Sequence, residues 1–170
     1  LADAPQVPGR LEHVGMVDGL SVFVDYAHTP DALENVGRTL RELEPERLVI
    51  VFGCGGDRDR EKRPRMARAA ARHADFCVVT SDNPRSEEPG AIIAEIEAGM
   101  PGGAFVTIVE REEAIREAIL SGRPGDVVLI AGKGHEDYQE LAAGRIPFDD
   151  RKKARQALDE RRNTRTRSPE

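Results

Sequence analysis

The 170-residue sequence has no tryptophan, only two cysteines and 4% aromatic residues. We find no apolar run long enough to span a membrane, and nothing near the N-terminus resembles a signal peptide. Cys54 and Cys77 lie in apolar, strand-like stretches, so we expect buried thiols in a reducing compartment rather than a disulfide. No Cys or His spacing fits a zinc site. These absences argue against a disulfide-stapled secreted domain and predict a cytoplasmic protein.

The charge balance is acidic, with 33% charged residues and a formal net charge of -6. It gives no electrostatic support for a nucleic-acid partner, and we expect no membrane partner. The length fits one domain with one core. Residues 1–10 hold two prolines and a glycine without periodicity, which predicts a linker from something upstream. We expect the domain to occupy residues 11–162 and the polar residues 163–170 to be disordered.

Strand-like and helix-like segments alternate along the chain. Asp18-Gly19 between the alternating segments Leu11–Val17 and Leu20–Tyr26 predicts a hairpin. The helix that follows has Thr29 as its cap and Pro30 at its first position. Later strands are predicted at Leu48–Phe52, Phe76–Thr80, Ala104–Val109, Val127–Ala131 and Tyr138–Leu141, and later helices at Glu61–His73, Gly90–Ala98, Arg111–Leu120 and from Asp149 to about Arg162. The pattern predicts an α/β fold with a Rossmann-like, open, twisted and mostly parallel sheet. Helices should cover both faces, and the hairpin should add an antiparallel edge.

Three polar loops follow predicted strands: Gly53–Asp59, Asp82–Arg85 and Gly132–Glu136. Because the carboxyl ends of parallel strands share one edge of a sheet, these loops should converge. The glycines would let the backbone approach a ligand closely.

The side chains of these loops suit a zwitterion. Arg58 and Arg85 offer planar forks for carboxylates, whereas Asp82 and Glu136 offer partners for ammonium groups. Asn83 can both donate and accept hydrogen bonds. The set predicts a site for an amino-acid-like ligand with several charged ends.

Other interpretations of the loops remain open. Gly53-Cys54-Gly55-Gly56 resembles part of a dinucleotide-binding fingerprint, but the third glycine is missing. Gly132-Lys133-Gly134 resembles part of a phosphate loop, although His135 stands where Ser or Thr is needed. His28 and His135 are candidates for acid–base chemistry or for loop-ordering hydrogen bonds. The chain could therefore be a stand-alone nucleotide- or anion-binding module, or a structural domain in which Arg85 merely pairs with local acids.

Four motifs in order carry a resemblance to a known family. They are Val24-Asp25-Tyr26-Ala27-His28-Thr29-Pro30-Asp31, Phe52-Gly53-Cys54-Gly55-Gly56-Asp57-Arg58-Asp59 with Lys62-Arg63-Pro64, Thr80-Ser81-Asp82-Asn83-Pro84-Arg85, and Gly132-Lys133-Gly134-His135-Glu136. Together they resemble the C-terminal domain of the Mur ligases. The resemblance runs from about Val7 to Arg151, nearly the whole chain.

The resemblance implies roles for single residues. In that family the Asp-Asn-Pro-Arg loop selects the amino acid, and its arginine grips a carboxylate of meso-diaminopimelate. Arg85 therefore points to diaminopimelate, since lysine-adding relatives lack this arginine. The other residues implied at the amino acid are Arg58, Asn83, Gly132 and Glu136, with Asp82 beside them. Those implied on the nucleotide side are Arg10, which would reach the ATP phosphates, Asp25, which would face the ribose or adenine, and His28.

The reaction that the resemblance implies is ATP-driven. A carboxylate of UDP-N-acetylmuramoyl-L-alanyl-D-glutamate is phosphorylated and then attacked by the amine of diaminopimelate, in peptidoglycan precursor synthesis. This chain contains no counterpart of the family's phosphate loop, its UDP-binding domain or its magnesium-binding carbamylated lysine. We therefore expect ATP and Mg²⁺ to belong to a full-length enzyme, and this domain alone to hold no metal, no cofactor and no catalytic residue. We also expect a monomer, and no ligation by the isolated chain.

Overall fold

The computed structural model describes residues 9–166, which form two sheets and five helices. The main sheet has the spatial order β1-β2-β6-β3-β4-β5. Its strands are β1 (Glu12–Val17), β2 (Leu20–Asp25), β3 (Arg47–Phe52), β4 (Phe76–Val79), β5 (Phe105–Thr107) and β6 (Asp126–Ala131). The helices are α1 (Pro30–Arg41), α2 (Lys62–His73), α3 (Pro89–Glu97), α4 (Arg111–Leu120) and α5 (Asp150–Thr166). The second sheet is a hairpin of β7 (Tyr138–Leu141) and β8 (Gly144–Pro147).

The architecture confirms the predicted Rossmann-like α/β fold. β2, β6, β3, β4 and β5 run parallel, and β1 pairs antiparallel with β2 at one edge. At the turn between β1 and β2, Asp18 and Gly19 have φ angles of 53° and 78°. Positive φ at both central residues is what a type I′ hairpin requires, and Asp-Gly adopts it readily. The turn chemistry thus explains why the first strand folds back as an antiparallel edge.

Two hydrophobic cores sandwich the main sheet. Along β3, Leu48, Ile50 and Phe52 face one core, and Val49 and Val51 face the other. The first core contains side chains of α1, α2 and α3, and the second contains side chains of α4 and α5. Burial on both faces explains why β3 and β6 read as continuous apolar runs in the sequence. Helices on both faces are therefore confirmed.

A buried ion pair joins the two helices that cover one face of the sheet, at the carboxyl edge of its strands. Arg111, the first residue of α4, pairs with Asp150, the first residue of α5, and both side chains are fully buried. The Arg111 guanidinium also donates to the carbonyl oxygens of Ser81 and Ala131, at 3.1 and 3.0 Å. Those carbonyls stand just beyond β4 and at the end of β6. One side chain thus ties together two helix starts and two strand ends.

The chain ends differ from the expectation. α5 continues to Thr166 rather than stopping near Arg162, so residues 163–166 are helical and not disordered. Arg162 pairs with Asp159 one turn earlier, and the Thr164 hydroxyl donates to the Glu160 carbonyl. Such local contacts let a polar segment remain helical. Residues 1–8 of the expected linker and 167–170 of the expected tail lie outside the described residues.

We expect Arg111→Met to lower the free energy of unfolding by about 3–5 kcal/mol, because it leaves the Asp150 carboxylate buried without its counter-charge. Urea unfolding measures this loss. The matched control is Arg116→Met, which removes an ion pair to Glu160 between the same two helices, with both side chains 42% exposed. Exposed pairs contribute about 1 kcal/mol or less. Equal losses in the two variants would contradict the role assigned to Arg111.

Candidate functional site

A cavity of about 370 Å³ lies at the carboxyl edge of the main sheet. All three predicted loops contribute to it, together with the residues that follow β2, so the predicted convergence is confirmed. Its lining consists of Tyr26, His28, Thr29, Gly53, Cys54, Gly55, Arg58, Lys62, Asp82, Asn83, Arg85, Gly132 and Glu136. The cavity thus gathers every residue predicted at the amino acid, and His28 from the nucleotide set. Their binding roles stay predictions.

Arg10 and Asp25 do not line this cavity. The Asp25 carboxylate accepts hydrogen bonds from the backbone N–H groups of Leu11 and Ala27, both at 2.7 Å. Both of its oxygens therefore hold backbone at the end of β2. Arg10 is exposed, next to Leu11. His28 is exposed, and its Nδ1 lies 2.8 Å from the carbonyl oxygen of Tyr26.

Two of the loops touch through their backbones at Gly56. A Cβ atom at Gly56 would lie 1.9 Å from the carbonyl oxygen of Pro84, so only glycine fits. The Gly56 N–H donates to the carbonyl oxygen of Asn83 at 2.8 Å. This glycine is therefore used for contact between loops. The first helix after it, α2, begins only at Lys62.

A buried arginine supports the outer wall of the cavity. Arg63, fully buried in α2, donates to Glu87 and Glu95 and to the carbonyl oxygen of Gly55. Glu87 in turn accepts from the backbone N–H of Asp57 at 2.7 Å. The arginine therefore links the start of α2 to the Gly53–Asp59 loop and to Glu87, which follows the Asp82–Arg85 loop. The sequence analysis assigned Arg63 no role of its own, because Arg63 stood out there only as part of the Lys62-Arg63-Pro64 motif.

A fully buried lysine bonds to two of the residues that line the cavity. The Lys133 Nζ donates to Asn83 Oδ1 at 2.9 Å and to Glu136 Oε2 at 3.1 Å. Asn83 Oδ1 also accepts from the Glu140 N–H at 3.0 Å, and Asn83 Nδ2 donates to Glu136 Oε2 at 3.3 Å. With its oxygen facing two donors, the Asn83 amide is fixed in one orientation. The anion that Lys133 meets is therefore the Glu136 carboxylate of the protein itself.

Arg85 is held from two sides and strained in its backbone. Its φ is 52°, in the left-handed region that few residues other than glycine adopt. Its Nε donates to Glu140 Oε2 and its Nη1 to the carbonyl oxygen of Gly56, both at 2.9 Å. The arginine does pair with a local acid. Its Nη2 donates no hydrogen bond within the described part of the chain, and its side chain still lines the cavity.

The cavity presents charges of both signs. Arg58, Lys62 and Arg85 bring positive charge, whereas Asp82 and Glu136 bring negative charge. The Asp82 carboxylate is only 9% exposed and accepts no hydrogen bond from residues 9–166. Burial raises the pKa of the Cys54 thiol to about 12, so it stays protonated and unreactive. The arrangement can bind a ligand that carries both carboxylates and ammonium groups.

Among residues 9–166, no three or more His, Cys, Asp or Glu side chains are grouped so that they could hold a metal ion. None of the helices in the same range combines the length and apolar character needed to cross a membrane.

A sheet covered on both faces, with charged loops meeting at its carboxyl edge, defines a ligand-binding α/β domain of the Rossmann-like class. The family model described as Mur ligase, glutamate ligase domain matches residues 9–134, and the chain belongs to that family. The resemblance of the four motifs is thereby confirmed.

Two similar curated proteins carry the same enzyme name. The chain is 58% identical over 161 residues to UDP-N-acetylmuramoyl-L-alanyl-D-glutamate–2,6-diaminopimelate ligase of Syntrophomonas wolfei, covering 93% of this chain and 33% of the relative. It is 56% identical over 164 residues to the enzyme of that name from Geobacillus thermodenitrificans, covering 95% and 34%. The chain thus spans about a third of the length of these curated relatives.

Solved structures agree on the fold. A structure of a diaminopimelate ligase of the same name superimposes with a TM-score of 0.86 at 45% identity, covering 92% of this chain and 32% of that one. UDP-N-acetylmuramate-alanine ligase from Thermotoga maritima gives a TM-score of 0.62 at 22% identity, covering 93% and 31%. At that identity the second likeness shows the fold alone.

The Glu87–Arg63 contact should make stability depend on pH in acid. The pKa of Glu87 falls from 4.5 to about 2, chiefly because Arg63 donates to its carboxylate and next because the Asp57 N–H does. A depressed folded-state pKa stabilises the fold above the unfolded value and ceases to do so as pH falls through the folded value. We therefore expect the difference in melting temperature between wild type and Glu87→Gln to be full above about pH 5 and to disappear between pH 4.5 and 2.

Thermal unfolding over this pH range measures the effect. Glu88→Gln, at the exposed neighbouring position, is the control and should show no such pH dependence. A Glu87→Gln difference that stays constant from pH 7 to pH 2 would contradict the assignment.

Proposed function

We propose that this chain is the amino-acid-binding domain of an ATP-dependent ligase that joins meso-diaminopimelate to UDP-N-acetylmuramoyl-L-alanyl-D-glutamate in peptidoglycan precursor synthesis. The observation that carries the proposal is the single cavity in which Arg58 and Arg85 stand with Asp82 and Glu136. Relatives at 58% and 56% identity bear the name of that ligase, which adds independent support. The domain's task is then to hold and orient the attacking amine.

Diaminopimelate has a carboxylate and an ammonium group at each end, and the cavity offers partners for both. The Arg85 Nη2 and the Asn83 Nδ2 would donate to a carboxylate. The Asp82 carboxylate and the Glu136 Oε1, which accept no hydrogen bonds from the described residues, would take ammonium groups. Arg58 and Arg85 both lie beside Gly55, where a Cβ would come 2.8 Å from Arg85 Nη1 and 3.7 Å from Arg58 Cγ.

Selection against lysine follows from the same contacts. Lysine lacks the second carboxylate, so it would leave Arg85 in a partly buried site without a ligand partner. Sites built to pair with a polar group reject ligands that lack it, because the unpaired group keeps its desolvation cost. Gly132 is needed beside them, since its φ is 120° and a Cβ there would lie 2.6 Å from Asp82 Oδ2.

The nucleotide side of the proposal involves Arg10, Asp25 and His28. His28 lines the cavity and Arg10 is exposed, so both are available for phosphate contacts, and both oxygens of Asp25 hold backbone. Each carboxylate oxygen keeps a second acceptor site, so Asp25 stays in the proposal as the residue that faces the ribose or adenine. ATP and Mg²⁺ are assigned to parts of the ligase beyond this chain, as is the UDP-linked substrate. The protein is proposed to be cytoplasmic and monomeric, with no nucleic-acid or membrane partner.

A stand-alone nucleotide- or anion-binding module is the alternative. Dinucleotide sites place the glycine loop directly at a helix N-terminus, where free N–H groups face the pyrophosphate. Here the Gly56 N–H is bonded to Asn83, and α2 starts only at Lys62. The two acidic side chains in the cavity would also repel a phosphate. These features favour the amino-acid ligand.

Arg85→Ala tests the assigned substrate in a full-length ligase that carries this domain. We expect the KM for meso-diaminopimelate to rise at least about tenfold, because a charge-assisted contact to its carboxylate is lost. Steady-state kinetics measures this, and Arg68→Ala, at an exposed position of α2, is the control. An unchanged KM in Arg85→Ala would show that the arginine does not hold the amino acid.

The isolated chain should bind without catalysing. We expect no phosphate release from ATP with meso-diaminopimelate and the UDP-linked dipeptide, measured by a colorimetric phosphate assay. Calorimetry should detect meso-diaminopimelate in preference to lysine, and no NADH. Turnover by the chain alone would refute the proposed division of labour, and NADH binding would support the alternative module.

A further inference from the structure

The β7–β8 hairpin holds the Asp82–Arg85 loop residue by residue. Gln139 Nε2 donates to the carbonyl oxygen of Asp82 at 2.7 Å. The Glu140 N–H donates to Asn83 Oδ1, and the Arg85 N–H donates to the carbonyl oxygen of Glu140, both at 3.0 Å. Two consecutive residues of β7 therefore contact three of the four residues of the loop. The last contact supports Arg85 in its left-handed backbone conformation.

The side chain of Glu140 stands between two arginines. Its Oε2 accepts from Arg85 Nε at 2.9 Å, and its Oε1 accepts from Arg145 Nε at 3.0 Å. Arg145 lies over the ring of Tyr138 at 4.1 Å. The pKa of Glu140 is lowered, first by the hydrogen bond from Arg145 and then by the charge of Arg85, so the group is ionised at neutral pH. Arg145 thus fixes the carboxylate that fixes Arg85.

These contacts determine the orientation of the Arg85 guanidinium. Its plane is set by two anchors, Glu140 at Nε and the Gly56 carbonyl at Nη1. Because the guanidinium is planar, fixing Nε and Nη1 also fixes the direction in which Nη2 points. Without Glu140 the long side chain would regain rotamers, and a ligand would have to order it again on binding.

We propose that Glu140 is a positioning residue for substrate selection, acting through Arg85 on the carboxylate that distinguishes diaminopimelate from lysine. The inference rests on the proposed function. A competing effect has the opposite sign, since Glu140 also offsets part of the positive charge of Arg85. If that offset dominated, removing the carboxylate would strengthen the binding of a carboxylate ligand.

The side chain can be tested apart from the backbone contacts, which any residue other than proline retains at position 140. In the full-length ligase, Glu140→Ala should raise the KM for meso-diaminopimelate about tenfold and change kcat little, as expected when a contact already made in the ground state is weakened. Glu140→Gln keeps an oxygen that can accept from Arg85 Nε, so it should recover much of the loss. The KM for lysine should not change, because lysine lacks the second carboxylate, the one that Arg85 would bind.

A double-mutant cycle with Arg85→Ala separates positioning from general damage. If Glu140 acts through Arg85, adding Glu140→Ala to Arg85→Ala should cause no further rise in KM. Glu160→Ala is the matched control, since it removes a carboxylate bonded to Arg116 far from the cavity.

The outcomes are distinct. A lower KM in Glu140→Ala, equal rises for diaminopimelate and lysine, or additive effects in the cycle would each overturn the inference. If the wild-type ligase does not use diaminopimelate at all, the proposed function fails instead.

Discussion

The buried pair of Arg111 and Asp150 is the constraint on which the site depends. The Arg111 guanidinium donates to the carbonyl oxygens of Ser81 and Ala131. These residues stand immediately before Asp82 and Gly132 in the chain. Two of the three loops therefore start from points fixed by one side chain. Burying two charges is costly, and such a pair contributes little net stability compared with a well-packed apolar one. Its value here lies in geometry, because it sets where two loops leave the sheet.

Charged side chains at the cavity and behind it are held in place by their neighbours. Lys133 lies between Asn83 and Glu136, Glu140 lies between Arg85 and Arg145, and Arg63 lies between Glu87 and Glu95. Arg85 and Glu136, which line the cavity, are thus each paired with a charged side chain that does not line it. Preorganised polar groups bind more tightly because less order must be imposed at the moment of binding. The site is a layer of ligand-facing residues on a layer of ion pairs.

Much of this could be predicted from the sequence. The alternation of apolar runs predicted the sheet, and the positions of Gly53, Asp82 and Gly132 just past strands predicted one shared site, because parallel strands end at one edge. The supporting layer could not be predicted. Arg63, Arg111 and Lys133 look like ordinary helix or loop cations, and their partners lie up to 50 residues away in the chain. Side-chain direction at that separation depends on the packed fold, as does the use of β7 as a template for the neighbouring loop.

Gly9 and Leu11, among the first residues that the structure describes, contact residues next to the candidate site. The Leu11 N–H is bonded to Asp25, and a Cβ at Gly9 would lie 2.2 Å from the backbone nitrogen of His135. The carbonyl oxygen of Asp25 accepts from the Gly132 N–H at 3.0 Å. Gly9 therefore meets the Gly132–Glu136 loop through a direct backbone contact, and Leu11 is connected to the start of that loop through the carboxylate and the carbonyl of Asp25. Residues 9–11 and the Gly132–Glu136 wall of the cavity are therefore held together as one unit.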